Sequence, residues 1–339
     1  MRDGFDTALA GLLNRQEFRY ARSARYSTTH ILERGRRLSV TLARRRKNRA
    51  PYVLLIPAVA ILAVGMGYPL IWQVVTSMQE FGLQQQFGKP APFVFFDNYI
   101  ELASRPSLWL VVGKSILFCL ATAVVTLVIG TLLALLMNSV NKGARITLQI
   151  SLLLAWSMPV VAAMTVWIWL FDRRRGAINY LLDLIPGVEM NRFNWLETPL
   201  TFFIVASIIV IWMSVPFVAF STYAGLTQVS EEVMEAAQLD GANGWQRFWG
   251  IILPMIRPVI AIVFLLQIIW DLRVFTQITM LQDAGSKSSD FDLLGTYIYK
   301  LGTKSQDFGM ASAVSILVLA ITILLSWFYI RSLLKEDEQ

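Results

Sequence analysis

One cysteine and one histidine stand among 339 residues, and only 16% of the chain is charged. A lone cysteine forms no disulfide within the chain, and Cys119 lies inside an apolar run, where a thiol packs as a small residue. His30 sits far from it in a basic N-terminal stretch, so the two build no zinc site. Metal chemistry and Cys/His nucleophilic catalysis are therefore not expected. No paired carboxylates suited to acid–base work at a membrane surface stand out either. Charge itself is scarce, since a soluble domain carries about a quarter charged residues.

What fills the chain is apolar sequence, 55% of it. These residues gather in runs of about 20 or more, the length that crosses ~30 Å of hydrocarbon at 1.5 Å per residue. Six spans are expected near 53–78, 107–137, 147–171, 199–224, 256–281 and 308–331. The fold class is all-α, a polytopic membrane protein with six transmembrane helices in one domain over residues 51–335. Residues 1–50 form a basic cytoplasmic segment ahead of it, and 336–339 a short cytoplasmic tail.

The net charge of +7 comes largely from that first segment, which holds 13 of the 30 Lys and Arg against four acids. Its position directly before a span fits positive-inside retention rather than nucleic-acid binding. Phe5, Leu9, Leu12, Leu13 and Phe18 within it suit an amphipathic helix on the inner leaflet, the alternative being a flexible tail. No signal peptide is expected, because the basic region is long and no small-residue cleavage site follows the apolar stretch. With the N-terminus inside, six spans bring the C-terminus inside as well. The outer loops, 80–106, 172–198 and 282–307, are each too short for an independent domain. One of them carries Arg173, Arg174 and Arg175 in succession, locally against the charge rule. The expectation there is a solvated loop partly paired with Asp172, Asp183, Glu189 and Glu197.

Gly113-Lys114-Ser115 invites a nucleotide-binding reading. A phosphate-binding loop needs another glycine five residues earlier, and Leu108 occupies that position. Lys114 more simply snorkels to the interface. The chain is expected to hold no ATP site and to catalyse no covalent chemistry.

Residues 231–254, EEVMEAAQLDGANGWQRFWGIILP, interrupt the apolar pattern between spans four and five. Glu235, Ala236 and Ala237 favour a helix, with Ser230 as its N-cap and Glu231 and Glu232 at its positive end. Gly241 suits the turn that ends it, and Pro254 marks re-entry into the membrane. The small alanines let another surface approach closely. The coupling segment is expected over about 230–250.

Seven residues at set spacing, Glu235-Ala236-Ala237, Gly241, Ile251, Leu253 and Pro254, make this stretch resemble the signature of inner-membrane permease subunits of binding-protein-dependent ABC importers. FVFFDNYIELASRPSLW before span two, WLFDRRRGAINYLL after span three and DFGMASAVSIL at the last span resemble the same family's carbohydrate branch. Within it the likeness is to the large permease subunit of maltose importers, over about 50–335. The arginines depart from that pattern, and the extra spans and large outer loop of that relative have no counterpart here.

The resemblance implies a type I ABC importer permease fold in a bacterial plasma membrane. It implies a second homologous permease subunit and two ATP-binding subunits that hold ATP and magnesium. It also implies an extracytoplasmic solute-binding protein, a di- or oligosaccharide substrate and surrounding membrane lipid. Glu235, Ala236, Ala237, Asp240, Gly241, Leu253 and Pro254 are then the ATPase-coupling residues, with Glu235 in a charged contact. Gln267, Trp270 and Asp271 share one face of span five, near the bilayer midplane where an unpaired carboxylate is costly. With Ser214 and Phe217 of span four they fall on the relative's sugar-contacting positions; Val160 and Val210 occupy others. A substrate like glycerol phosphate is an alternative that Arg273 would suit. An ion-coupled secondary transporter predicts more ionisable residues along the path and an internal repeat, and neither is evident. A membrane enzyme acting on lipid-linked sugars lacks its catalytic groups.

Overall fold

The computed structural model describes residues 50–285 and 288–336. The basic N-terminal segment with its expected amphipathic helix and His30, and the last three residues of the tail, lie outside them. The chain divides into two compact units after Pro69.

In the first unit, helix α1 (Ala50–Leu62) passes into a π turn at Ala63–Gly67. That turn immediately precedes the Tyr68-Pro69 pair, where a proline ring collides with the carbonyl four residues back; one wider turn relieves the collision. The apolar helical run Val53–Ser77 is 25 residues long, close to the first expected span.

The second unit opens with α2, the rest of Tyr68–Ser77, and reaches the membrane-length helix α4 (Pro106–Ser139) through α3 (Asp97–Ser104). Asn98 donates hydrogen bonds to the carbonyls of Ser77 and Gln79 at 2.9 and 3.0 Å, fastening α3 to the end of α2. Next come α5 (Lys142–Ser157) and α6 (Val160–Leu170), then α7 (Ala177–Asp183) and the long α8 (Pro199–Leu226). α9 (Glu231–Leu239) links α8 to α10 (Gly244–Leu272), followed by α11 (Thr276–Ala284), α12 (Leu294–Tyr299) and α13 (Phe308–Glu336).

The centre of this unit is the α4–α8 pair. The buried face of α4 carries Ser115, Cys119, Thr122, Thr126, Gly130 and Ala134, small residues at helical spacing. Hydrocarbon offers no hydrophobic gain for burying large side chains between helices, so close backbone approach through small residues holds such pairs together. At Gly130 the approach is so close that an added Cβ would stand 2.6 Å from Cγ1 of Val218. Cys119 is buried as expected, its thiol 3.3 Å from the carbonyl of Ile268 on α10.

Two expected spans differ from what forms. The third is broken: α5 and α6 meet at 99°. Met158 there is extended (φ −69°, ψ 127°) because Pro159 follows it, and a residue before proline is driven out of the helical region. The fifth, expected at 256–281, instead runs Gly244–Leu272 and ends, with a separate helix after Phe275. Pro254 therefore sits inside this helix rather than at its start, behind a second π turn at Phe248–Ile252 placed as the first is before Pro69.

Candidate functional site

The break after α10 is where the expected polar residues gather. Asp271 is 3% exposed, and its carboxylate takes hydrogen bonds from Thr122 Oγ1 on α4 at 2.7 Å and from Gln267 Nε2 one turn earlier at 2.8 Å. Thr122 is the seventeenth of the 34 residues of α4, so the carboxylate lies level with the middle of the longest span. The partner that had to come from another helix is that hydroxyl. Arg273, two residues on, does not supply it. Thr122 was not singled out from sequence, since one threonine in an apolar helix is unremarkable until its neighbour is known.

Ser214, Trp270 and Asp271 line one cavity of about 210 Å³, together with Val210, Arg273 and Phe275. Trp270 is 44% exposed and packs on Phe217 with ring centroids 4.8 Å apart; Trp156 also approaches Phe217, at 6.2 Å. Four of the five expected contact residues thus meet in one place. Gln267 is the exception. It is wholly buried behind Asp271 rather than on the cavity wall, and its Oε1 accepts no hydrogen bond from the described residues. A helix that stops here leaves Arg273–Phe275 as irregular backbone, which is tolerated at membrane depth where it is buried or lines a cavity. The chemistry assembled is an aromatic surface, a hydroxyl and an oriented carboxylate, a set suited to binding a polyhydroxylated ligand.

The second cluster lies at the elbow between α8 and α10. Glu235, Ala236 and Asp240 are exposed and Ala237 is buried. The elbow helix is shorter than the expected 230–250, because residues from Gly244 onward already belong to α10. Ser230 occupies the N-cap but makes no side-chain cap bond. The other end is better defined. Gly241 takes φ +79°, and the N–H groups of Ala242 and Gly241 bond the carbonyls of Ala237 and Gln238 at 3.0 Å each, a Schellman ending. Asn243 and Gln246 then start α10 with reciprocal side-chain-to-backbone bonds of 2.9 Å, a capping box that the sequence analysis missed although the residue spacing carries it. Leu239 is 90% exposed and Trp245 and Trp249 are exposed beside it. Leu253 and Pro254 are in α10, beyond the π turn.

Lys114 and Ser115 serve the fold. Lys114 donates to the carbonyl of Asp290 at 2.7 Å, and Ser115 Oγ accepts the N–H of Leu294 at 2.8 Å, so this tripeptide ties α4 to the segment before α12.

Comparison with known proteins agrees over most of the length. Residues 126–331 match the family described as binding-protein-dependent transport system inner membrane component. The chain is 37% identical to the diacetylchitobiose uptake system permease protein DasB of Streptomyces coelicolor, over 85% of this chain and 88% of that one. It is 28% identical to the trehalose/maltose transport system permease protein MalF of Thermococcus litoralis, over 84% and 94%. In fold it is similar to a chain of a bacterial alginate ABC transporter crystallised with an alginate pentasaccharide-bound periplasmic protein. That match has a TM-score of 0.71 at 23% identity, covering 84% of this chain and 93% of that one.

Proposed function

The chain belongs to the binding-protein-dependent transport system inner membrane components, and from that membership we propose that it is one permease half of an ATP-driven importer of a di- or oligosaccharide. A second, similar subunit would close the open side of the cavity, where Trp270 is exposed. Two ATPase subunits would dock on the α9 elbow, with Glu235 making a charged contact and the alanines allowing close approach. A solute-binding protein would deliver substrate on the outer side, with both termini of this chain cytoplasmic. Closure of the ATPases pushes the elbows together, the membrane halves open outward, and the sugar passes to the cavity before hydrolysis resets the path inward.

The observation that carries the sugar reading is the Trp270–Phe217 pair beside the oriented Asp271 carboxylate, at mid-span and at a helix break. Aromatic faces meet the C–H surfaces of a sugar ring while the carboxylate and Ser214 accept its hydroxyl protons. The uptake of diacetylchitobiose and of trehalose or maltose named for the two relatives supports the same class. In proteoliposomes holding the whole complex, Trp270→Ala should raise the KM for the transported sugar at least about tenfold, the scale of a lost stacking contact. Unchanged KM and rate would remove Trp270 from the path.

One observation favours a second reading. Arg273 lines the same cavity and has no carboxylate partner among the described residues, which suits an anionic substrate such as glycerol phosphate. Competition of unlabelled glycerol phosphate against labelled disaccharide separates the two.

A further inference from the structure

Arg173, Arg174 and Arg175 belong neither to the cavity at the helix break nor to the elbow. With Arg192, Trp169 and Tyr180 they line a separate cavity of about 450 Å³ just past the end of α6. Among the described residues none of the four guanidinium groups is paired with a carboxylate, contrary to the partly paired loop expected from sequence. The nearby acids are occupied by backbone. Asp172 Oδ1 accepts the N–H groups of Arg174 and Arg175 at 2.9 and 2.7 Å, and Asp183 Oδ1 accepts that of Met190 at 3.3 Å.

The walls are held in place. Buried Asn179 accepts the indole N–H of Trp195 at 2.6 Å and donates to the carbonyl of Phe193 at 2.9 Å. Arg173 Nε donates to the carbonyl of Arg192 at 3.0 Å, bringing the two sides of the cavity together. The result is a preformed concave surface of net positive charge, four guanidinium groups against the one lining carboxylate of Asp183. Such a surface needs an anion, and a guanidinium fork matches phosphate oxygens two at a time.

Its setting identifies the anion. Trp169 is the penultimate residue of an apolar helix and lines the cavity with Tyr180; Tyr180 and its chain neighbours Leu181 and Leu184 are all exposed. Tryptophan and tyrosine with leucine at the end of a span mark the level of lipid headgroups, and guanidinium groups at that level suit an anionic one through its phosphate oxygens. We propose that this cavity binds the headgroup of an anionic phospholipid, with the phosphodiester held by Arg174, Arg175 and Arg192 and the acyl chains lying along Leu181 and Leu184.

The test is thermal unfolding of the full-length chain in detergent, titrated with phosphatidylglycerol, phosphatidylcholine or inorganic phosphate. Phosphatidylglycerol should raise the midpoint saturably and phosphatidylcholine should not. The combined variant Arg174→Gln, Arg175→Gln and Arg192→Gln should raise the apparent Kd for phosphatidylglycerol at least about tenfold, the scale of one lost charge-assisted bond. Arg173 is left in place because its Nε bond supports the wall. Should the triple variant unfold without ligand, Arg174→Gln alone, at a side chain making no hydrogen bond among the described residues, must show the same direction of change. Equal response to the two lipids would overturn the proposal, as would a retained phosphatidylglycerol shift in the variants. The same saturable shift with inorganic phosphate would assign the cavity to a soluble anion instead.

Discussion

At position 130 a hydrogen atom is all the space allows. The Cβ of Gly130→Ala would stand 2.6 and 2.7 Å from Cγ1 and Cβ of Val218, so the α4–α8 contact must open. The expected cost is about 1–3 kcal/mol, measured by denaturant unfolding in micelles. Adding Val218→Ala removes one of the two clashing atoms and should restore part of the loss; strict additivity of the two changes would deny the contact. Thr122→Val keeps the shape of that side chain and deletes the donor to Asp271. A buried carboxylate left one partner short should lower stability by roughly 1–3 kcal/mol and raise the KM for sugar, whereas unchanged values of both would show the bond to be idle. Ser214, Trp270 and Asp271, singled out from the resemblance as sugar-contacting positions, line one cavity. The depth of Gln267 was not legible in the sequence, because helical spacing says which residues share a face but not which of them a neighbouring helix covers.

Between elements, the elbow shows how local rules set a joint. α9 ends by placing Gly241 at φ +79°, and three residues later α10 begins with its own capping box. Both halves of the joint are specified by side-chain and backbone bonds within about ten residues, so its angle does not wait on long-range packing. Gly241→Ala strains the left-handed turn by about 1 kcal/mol, and Gly241→Asn by less, since asparagine enters that region more readily. Substrate-stimulated ATPase activity of the assembled complex should fall in the same order, alanine below asparagine below wild type; a reversed order would separate the turn from coupling. The breaks in spans three and five have different legibility. At Pro159 the cause is local, since the proline drives Met158 out of the helical region, and only the direction taken by α6 made it a 99° bend. Arg273–Phe275 contains neither proline nor glycine. Its break comes from burial of Val274 in the core around Phe202 and Ile278 and from Phe275 against Tyr299 at 5.1 Å, contacts no local pattern announces.

For the whole molecule the question is how motion made elsewhere reaches the cavity. α10 carries the elbow's capping box at its start and Trp270 and Asp271 at its end, and α8 carries Ser214 and Phe217. The two helices pack against each other, with Val259 within 3.3 Å of where a Cβ on Gly225 would sit. In the proposed importer, a push on α9 would reach both walls of the cavity through these two helices. Glu235 is exposed on that elbow. Glu235→Lys should leave an inserted, stably folded chain whose complex loses substrate-stimulated ATPase activity; normal uptake by that variant would exclude the docking role.

Composition and spacing by themselves determined that the chain is helical and membrane-embedded, and that an amphipathic elbow interrupts its spans. The reason is that hydrocarbon imposes one length and one hydrogen-bonding solution on any segment crossing it, and that caps and turns are local chemistry. The tertiary structure alone decided where the fifth span breaks, which hydroxyl holds Asp271, and that four arginines share a cavity with a single lining carboxylate, Asp183, and no ion pair to it among the described residues. Those outcomes depend on which surfaces meet, for Thr122 and Asp271 across 149 residues of chain, and a side chain's neighbours there are not written in the local pattern.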